Sequence, residues 1–160
     1  MSVNCVVYAV TMQQMDRLRE IEDEEEFYQA LETAPKVDVR KEWHGLHYLL
    51  TGTASGFPAP RGFLVEGGEE IGPNDGYGPP RLFSPREVDD IHSVLVDISE
   101  EELWSHFDAD QMNADQVYPP LDWHEELEQT RRCYLRTFTE LKKFVDEASQ
   151  RGQCLVVMVG

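Results

Sequence analysis

His44 and His47 stand three residues apart in the string Trp43-His44-Gly45-Leu46-His47-Tyr48-Leu49-Leu50-Thr51-Gly52. On a helix this spacing makes the two imidazoles neighbours. Such a pair could supply half of a zinc site or exchange protons near neutral pH. The string lacks the Glu of H-E-x-x-H, and no third ligand follows at a recognisable spacing. His47 also falls on the apolar stripe of Trp43, Leu46 and Leu50. It is therefore expected to be buried, with a hydrogen-bond partner for at least one ring nitrogen. His44 lies about 100° round the helix from Trp43 and should be more exposed.

Thr51-Gly52-Thr53-Ala54-Ser55-Gly56 has the look of a nucleophile turn or a phosphate cradle. G-x-S-x-G needs glycine where Thr53 stands, and a P-loop needs a lysine that is missing. The stretch reads instead as a helix end capped by Gly52. Residues 67–80 hold five glycines and three prolines. They do not form G-x-G-x-x-G between a strand and a helix. A loop this long in a compact domain is often functional, and Asp75, Tyr77 and Arg81 could ring a cleft there. The catalytic candidates are thus His44, His47, Thr51, Asp75 and Tyr77. Asp108, Asp110, Asn113 and Asp115 invite a calcium reading, but Met112, Asn113 and Pro119 occupy the places where an EF-hand needs Asp or Asn, Gly and Glu. No metal and no cofactor is expected.

These side chains need elements to hold them. Val3–Val10 and Cys154–Val159 are short valine-rich runs, read as buried strands. Thr11 with Gln14, Ser84 with Glu87 behind Pro85, and Ser99 with Glu102 have the spacing of capping boxes. Helices are predicted after each, with further helices over 25–34 and over 39–51, the latter carrying the histidines. Phe63–Glu66 and Arg81–Phe83 read as short extended pieces, and Asp108–Gln116 as about one helical turn. Asp122 and Glu125 are expected to cap the longest helix, which runs to about Arg151 with Tyr134, Phe138, Leu141 and Val145 turned inward. Trp43, Trp104 and Trp123 are expected in the core or at its edge. Apolar strands at both ends of the chain imply an α/β fold. We expect one three-layer domain over residues 1–160, a small central sheet with the terminal strands central and helices on both faces.

The chain has 160 residues and a formal net charge of −17. Such a surface repels phosphate backbones and anionic bilayers, so nucleic acid and membrane are not expected partners. A basic protein is the partner that the charge would steer in. The acids are unevenly spread: residues 122–151 are nearly balanced, whereas the run Glu20–Glu26 is interrupted only by Ile21. Three cysteines without a C-x-x-C pair fit a reducing compartment. With no secretory signal pattern and no spanning apolar run, the expected location is the cytoplasm.

The histidine-bearing string, the stretch Gly76-Tyr77-Gly78-Pro79, the helix start Ser84-Pro85-Arg86-Glu87-Val88, and Phe107-Asp108 through Met112-Asn113 share a pattern with known chains. So do Val117-Tyr118-Pro119 and the closing long helix with Gly152 and its strand. In this order they resemble a bacterial family, the YfbM-like proteins, across essentially the whole chain. The resemblance implies a compact three-layer α/β domain. It implies no activity, because that family's function is unassigned. Two expectations follow. The first is a non-catalytic, acidic, soluble cytoplasmic binding or interaction protein. The alternative is a small enzyme with a polar cleft around the 43–52 helix and the 67–80 glycine-rich loop.

Overall fold

A computed structural model describes residues 2–74 and 76–160. Along the chain come β1 (Cys5–Val10), α1 (Met12–Leu18), α2 (Glu24–Leu31), β2 (Lys36–Arg40), α3 (Trp43–Thr51) and β3 (Glu69–Glu70). They are followed by β4 (Arg81–Phe83), α4 (Pro85–Val96), α5 (Glu100–Ser105), α6 (Ala109–Ala114), α7 (Leu127–Gln150) and β5 (Cys154–Val159). The strands form one sheet in the order β2-β1-β5-β4-β3, antiparallel throughout. β1 and β5 pair over their full length, from Cys5 opposite Val159 to Val10 opposite Cys154. Neither terminal strand is an edge, as their apolar character requires.

Alternate residues of these strands feed two cores. Cys5, Val7, Ala9, Leu155 and Val157 face a cluster built with α3, α4 and α7. Val10, Cys154 and Val156 face Met15, Leu18, Phe27 and Leu31 on the α1–α2 side. The result is the three-layer α/β arrangement, helices on both faces of the sheet. Both Cys5 and Cys154 are fully buried, and burial pushes the Cys5 thiol up to about 12. No described helix is long and apolar enough to cross a membrane.

Local signals placed the helix starts. Thr11–Gln14 and Ser84–Glu87 close reciprocal capping boxes; at Ser99 only the half from Ser99 to the Glu102 N–H forms. The acid run is absorbed at the start of α2. Asp23 caps the helix and Glu24, Glu25 and Glu26 occupy its first turn, where the helix dipole favours negative charge.

Three expectations need correction. Residues 36–40 are a strand, so Val39 and Arg40 do not start the histidine helix. Lys-Val-Asp-Val-Arg alternates, with Val37 and Val39 buried between exposed neighbours, which is the two-residue period of a sheet. Arg40 then takes a left-handed φ of 57° while the Asp38 carboxylate accepts its N–H at 2.9 Å, so α3 begins only at Trp43. Phe63–Glu66 is a turn rather than a strand. The Arg81 guanidinium donates to the carbonyls of Phe63 at 2.9 Å, Leu64 at 2.7 Å and Gly67 at 3.1 Å, taking acceptors that a ladder would use. The long helix starts at Leu127, because Glu126 is left-handed at φ 51° and Asp122 is engaged in the preceding loop. Its 24 residues span roughly 36 Å.

Arg81 thus holds the 63–67 turn onto the sheet. Arg81→Ala should lower unfolding stability by about 2–4 kcal/mol, since three carbonyls lose a charged donor. Arg81→Lys should recover little of it, because an ammonium lacks the planar fork that spans them. Urea unfolding of the two variants measures both; a fully rescued lysine variant would contradict this role.

Candidate functional site

His47 is fully buried, as its place on the stripe requires, but neither of its ring nitrogens has a hydrogen-bond partner. The expected partner is absent among the described residues. Burial is the main reason that its pKa falls to about 4, with His44 adding to the effect. The imidazole is therefore neutral, and it serves α3 as packing.

His44 is half-buried, and both of its nitrogens are taken. Nδ1 accepts the Tyr118 N–H at 2.9 Å. Nε2 must then carry the proton, and it donates to the Ala54 carbonyl at 2.8 Å. The ring also stacks on Trp43, centroid to centroid 5.1 Å. His44 thereby ties two loops to α3, and the 54-loop folds back over the helix to meet it. Thr51 Oγ1 donates to the His47 carbonyl at 2.8 Å and accepts the Thr53 N–H at 3.2 Å. Gly52 caps the helix at φ 78°. Tyr77 is 58% exposed and borders a depression of about 170 Å³ with Trp43, Val65 and Arg81. His44, His47 and Thr51 do not line that depression. Asp75 lies outside the described residues. The structure thus brings the two histidines and Thr51 together along one helix, and sets Tyr77 apart.

The acids of 108–115 serve as caps and ties. Asp108 caps α6 by accepting the Gln111 N–H, and Asp115 accepts the Gln111 side chain. Asn113 donates to Asp122 and accepts the Trp123 N–H, each at 3.0 Å. His124 lies between Asp122 and Asp110, whose hydrogen bonds hold its pKa above the usual histidine value.

A further concave feature lies where the start of α3 meets the first turns of α7. It is a cleft of about 290 Å³. Glu42, Trp123, Cys133 and Tyr134 line it together with Gln129 and Thr130. Leu121, Asp122, Glu125, Glu126 and Lys41 also border it, so that four carboxylates face one lysine. The aromatic wall is fixed. The Trp123 indole N–H donates to the Val117 carbonyl at 3.2 Å, and its ring meets Tyr134 edge-on at 5.7 Å. Tyr134 in turn packs against Gly45. A Cβ there would lie 2.5 Å from the tyrosine ring, so only glycine lets α7 approach α3 this closely.

Glu42 is the unusual member. It is only 6% exposed, caps α3 without a side-chain capping bond, and leaves Oε2 buried with no hydrogen-bond partner. Burial raises its carboxyl pKa, opposed in turn by its own backbone N–H, Arg40 and Lys41. Tyr134 is also pushed up, first by burial and then by the Glu42 charge. An orphaned buried acceptor costs about 1–3 kcal/mol, and such costs gather at functional sites.

Residues 1–158 match the model of a family described as a domain of unknown function, DUF1877. The chain belongs to that family. The crystal structure of a protein of unknown function, YfbM from Escherichia coli, is similar to this chain with a TM-score of 0.80. The two are 19% identical, over 98% of this chain and 99% of that one. That likeness shows the fold. No curated protein matches the chain.

In this DUF1877 chain Glu42 is a candidate site residue that no sequence motif marks. One signal was available: Glu42, Leu46 and Leu49 stand at i, i+4 and i+7, which puts the carboxylate on a buried helix face.

The folded His47 pKa lies below its ordinary 6.5, so the unfolded chain binds a proton that the fold resists. Its contribution to stability is intact above pH 6.5 and falls by about 1.4 kcal/mol per unit between there and pH 4. His47→Leu should remove that slope, leaving stability at pH 7 unchanged or higher. Denaturant midpoints at pH 7 and pH 5 compare the two proteins, and identical slopes would mean the imidazole is partnered. His44→Ala should cost about 1–2 kcal/mol by stranding the Ala54 carbonyl and the Tyr118 N–H; an unchanged urea midpoint would show that the clamp carries no stability.

Proposed function

We propose that this is a non-catalytic binding protein that receives a positively charged partner, a basic protein, at the acidic cleft between α3 and α7. The observation that carries the reading is the cleft's composition: aromatic walls and four carboxylates against one lysine, one of those carboxylates buried and short of a hydrogen bond. Arg131, Arg132 and Arg136 of α7 do not line it. Opposite charge steers such a partner in and fixes its orientation. The long-range field of the whole chain adds to this and disfavours nucleic acid and anionic membranes.

The binding reading is also supported over an enzyme around the 43–52 helix. His44 and Thr51 already spend their hydrogen-bonding capacity on the protein's own backbone. In the cleft itself Cys133 and Thr130 are the thiol and hydroxyl nucleophile types, and no histidine lines it to activate them.

A lysine- and leucine-rich amphipathic peptide, titrated into labelled protein and followed by amide shifts, tests this. Shifts should gather at residues 119–134 and weaken steeply with added salt. The triple reversal Asp122→Lys, Glu125→Lys, Glu126→Lys should abolish them. Shifts spread evenly over the acidic surface, including the Glu22–Glu26 run, or binding that survives the reversal, would overturn the proposal.

A further inference from the structure

We infer that the cleft is a receptor for a single lysine side chain of the partner, with Glu42 as counter-ion to the ammonium and the Trp123–Tyr134 pair lining the path of its stem. This rests on the reading of the cleft as a binding surface and adds the chemistry of what enters it.

Three features select a lysine. The first is size. At about 290 Å³ the cleft sits at the lower edge of ligand pockets, a size that one unbranched side chain fits. The second is the lining. Trp123, Tyr134 and the half-buried Cys133 offer apolar and aromatic surface in the same cleft as the Glu42 carboxylate. Lysine carries that polarity in one side chain, an aliphatic stem with a charged tip, and aromatic faces attract a cation directly. The Trp123 N–H is already committed to Val117, so the indole meets a ligand with its ring. The third is the acceptor. Glu42 Oε2 is buried and unpartnered. A guanidinium fork needs both carboxylate oxygens presented side by side, whereas an ammonium is a point charge that one oxygen can hold. The terminal torsion of Glu is broad and two-fold, so a turn of the carboxyl can bring the orphaned oxygen to the incoming donor.

The bordering residues extend the argument to the partner's surroundings. Leu121 and Leu127 are 46% and 47% exposed, and both lie beside acids in the 121–128 segment. Apolar groups flanking the inserted lysine would cover Leu121, and further basic residues would meet Asp122, Glu125 and Glu126. Protons compete for the same carboxylate, whose pKa burial has raised. Ammonium binding should therefore tighten as Glu42 ionises with rising pH and then level off.

The test uses n-butylammonium as the side-chain probe and n-butanol as its neutral counterpart, followed by tryptophan fluorescence and by amide shifts at Lys41, Glu42, Thr130 and Cys133. The expected result is saturable n-butylammonium binding with no matching response to n-butanol. Glu42→Gln should weaken it at least tenfold while the protein stays folded and its melting temperature holds or rises. Cys133→Met, which fills the wall without touching the carboxylate, should block it as well and covers the case in which Glu42→Gln fails to fold. Equal binding of n-butanol, or unchanged n-butylammonium binding in a folded Glu42→Gln protein, overturns the ammonium site. The lysine-leucine peptide separates this from the broader reading. If the peptide binds through the acidic border and n-butylammonium finds no saturable site, the lysine receptor is wrong and the binding surface stands. If n-butylammonium binds and the peptide does not, the site belongs to a free amine, and the assignment to a partner's lysine falls.

Discussion

The antiparallel pairing of Cys5–Val10 with Cys154–Val159 is the constraint on which the other elements depend. Two valine-rich strands from opposite ends of the chain can bury both faces only if helices cover each side. α1 and α2 take one face, through Met15, Leu18, Phe27 and Leu31. α3, α4 and α7 take the other, through Leu46, Ile91, Phe138 and Leu141. Because β5 follows α7 after a short turn at Gly152, seating β5 also lays α7 across the sheet. The position of α7 opposite α3 follows from this, and with it the cleft.

Connections between the elements are held largely by side chains bonded to backbone carbonyls and amides. Arg81 gathers the carbonyls of 63, 64 and 67, and His44 bridges residues 54 and 118. Further down, Lys142 donates to the Ile98 carbonyl at 2.7 Å. Each of these side chains is of a type often assigned to chemistry. In this fold their polar atoms are consumed in closing loops, because a partly buried loop must pair its backbone groups with something other than water. Glu42 differs in this respect. Glu42 lines the cleft, and its buried Oε2 has no hydrogen-bond partner among the described residues.

The tight contact of α3 with α7 joins the fold to the cleft. Gly45 admits the Tyr134 ring, Tyr134 meets Trp123, and Trp123 is fixed by Val117 and Asn113. The α6 segment is drawn into the same structure. Its acids cap the helix and pair with His124 in the loop that leads into α7. A run of acids that looked like a cation loop is thus part of the frame that shapes the cleft.

The sequence by itself determined what short-range rules govern. Capping at Thr11, Ser84 and Ser99 was legible, because a cap is a bond between a side chain and a backbone amide three residues on. The terminal strands, the stripe of α7 and the burial of His47 were legible because periodicity alone assigns a face. β2 was missed because its five-residue alternation runs within a few residues of the helical stripe of α3, and a left-handed Arg40 between them leaves no mark in residue type. Only the tertiary structure decided which polar groups are used up and which are left over. His44 meets Tyr118 from 74 positions away, and Glu42 is enclosed by Trp123 and residues of α7 more than 80 positions along the chain. Those encounters are fixed by the pairing of the chain's two ends, which no local pattern around residue 42 encodes.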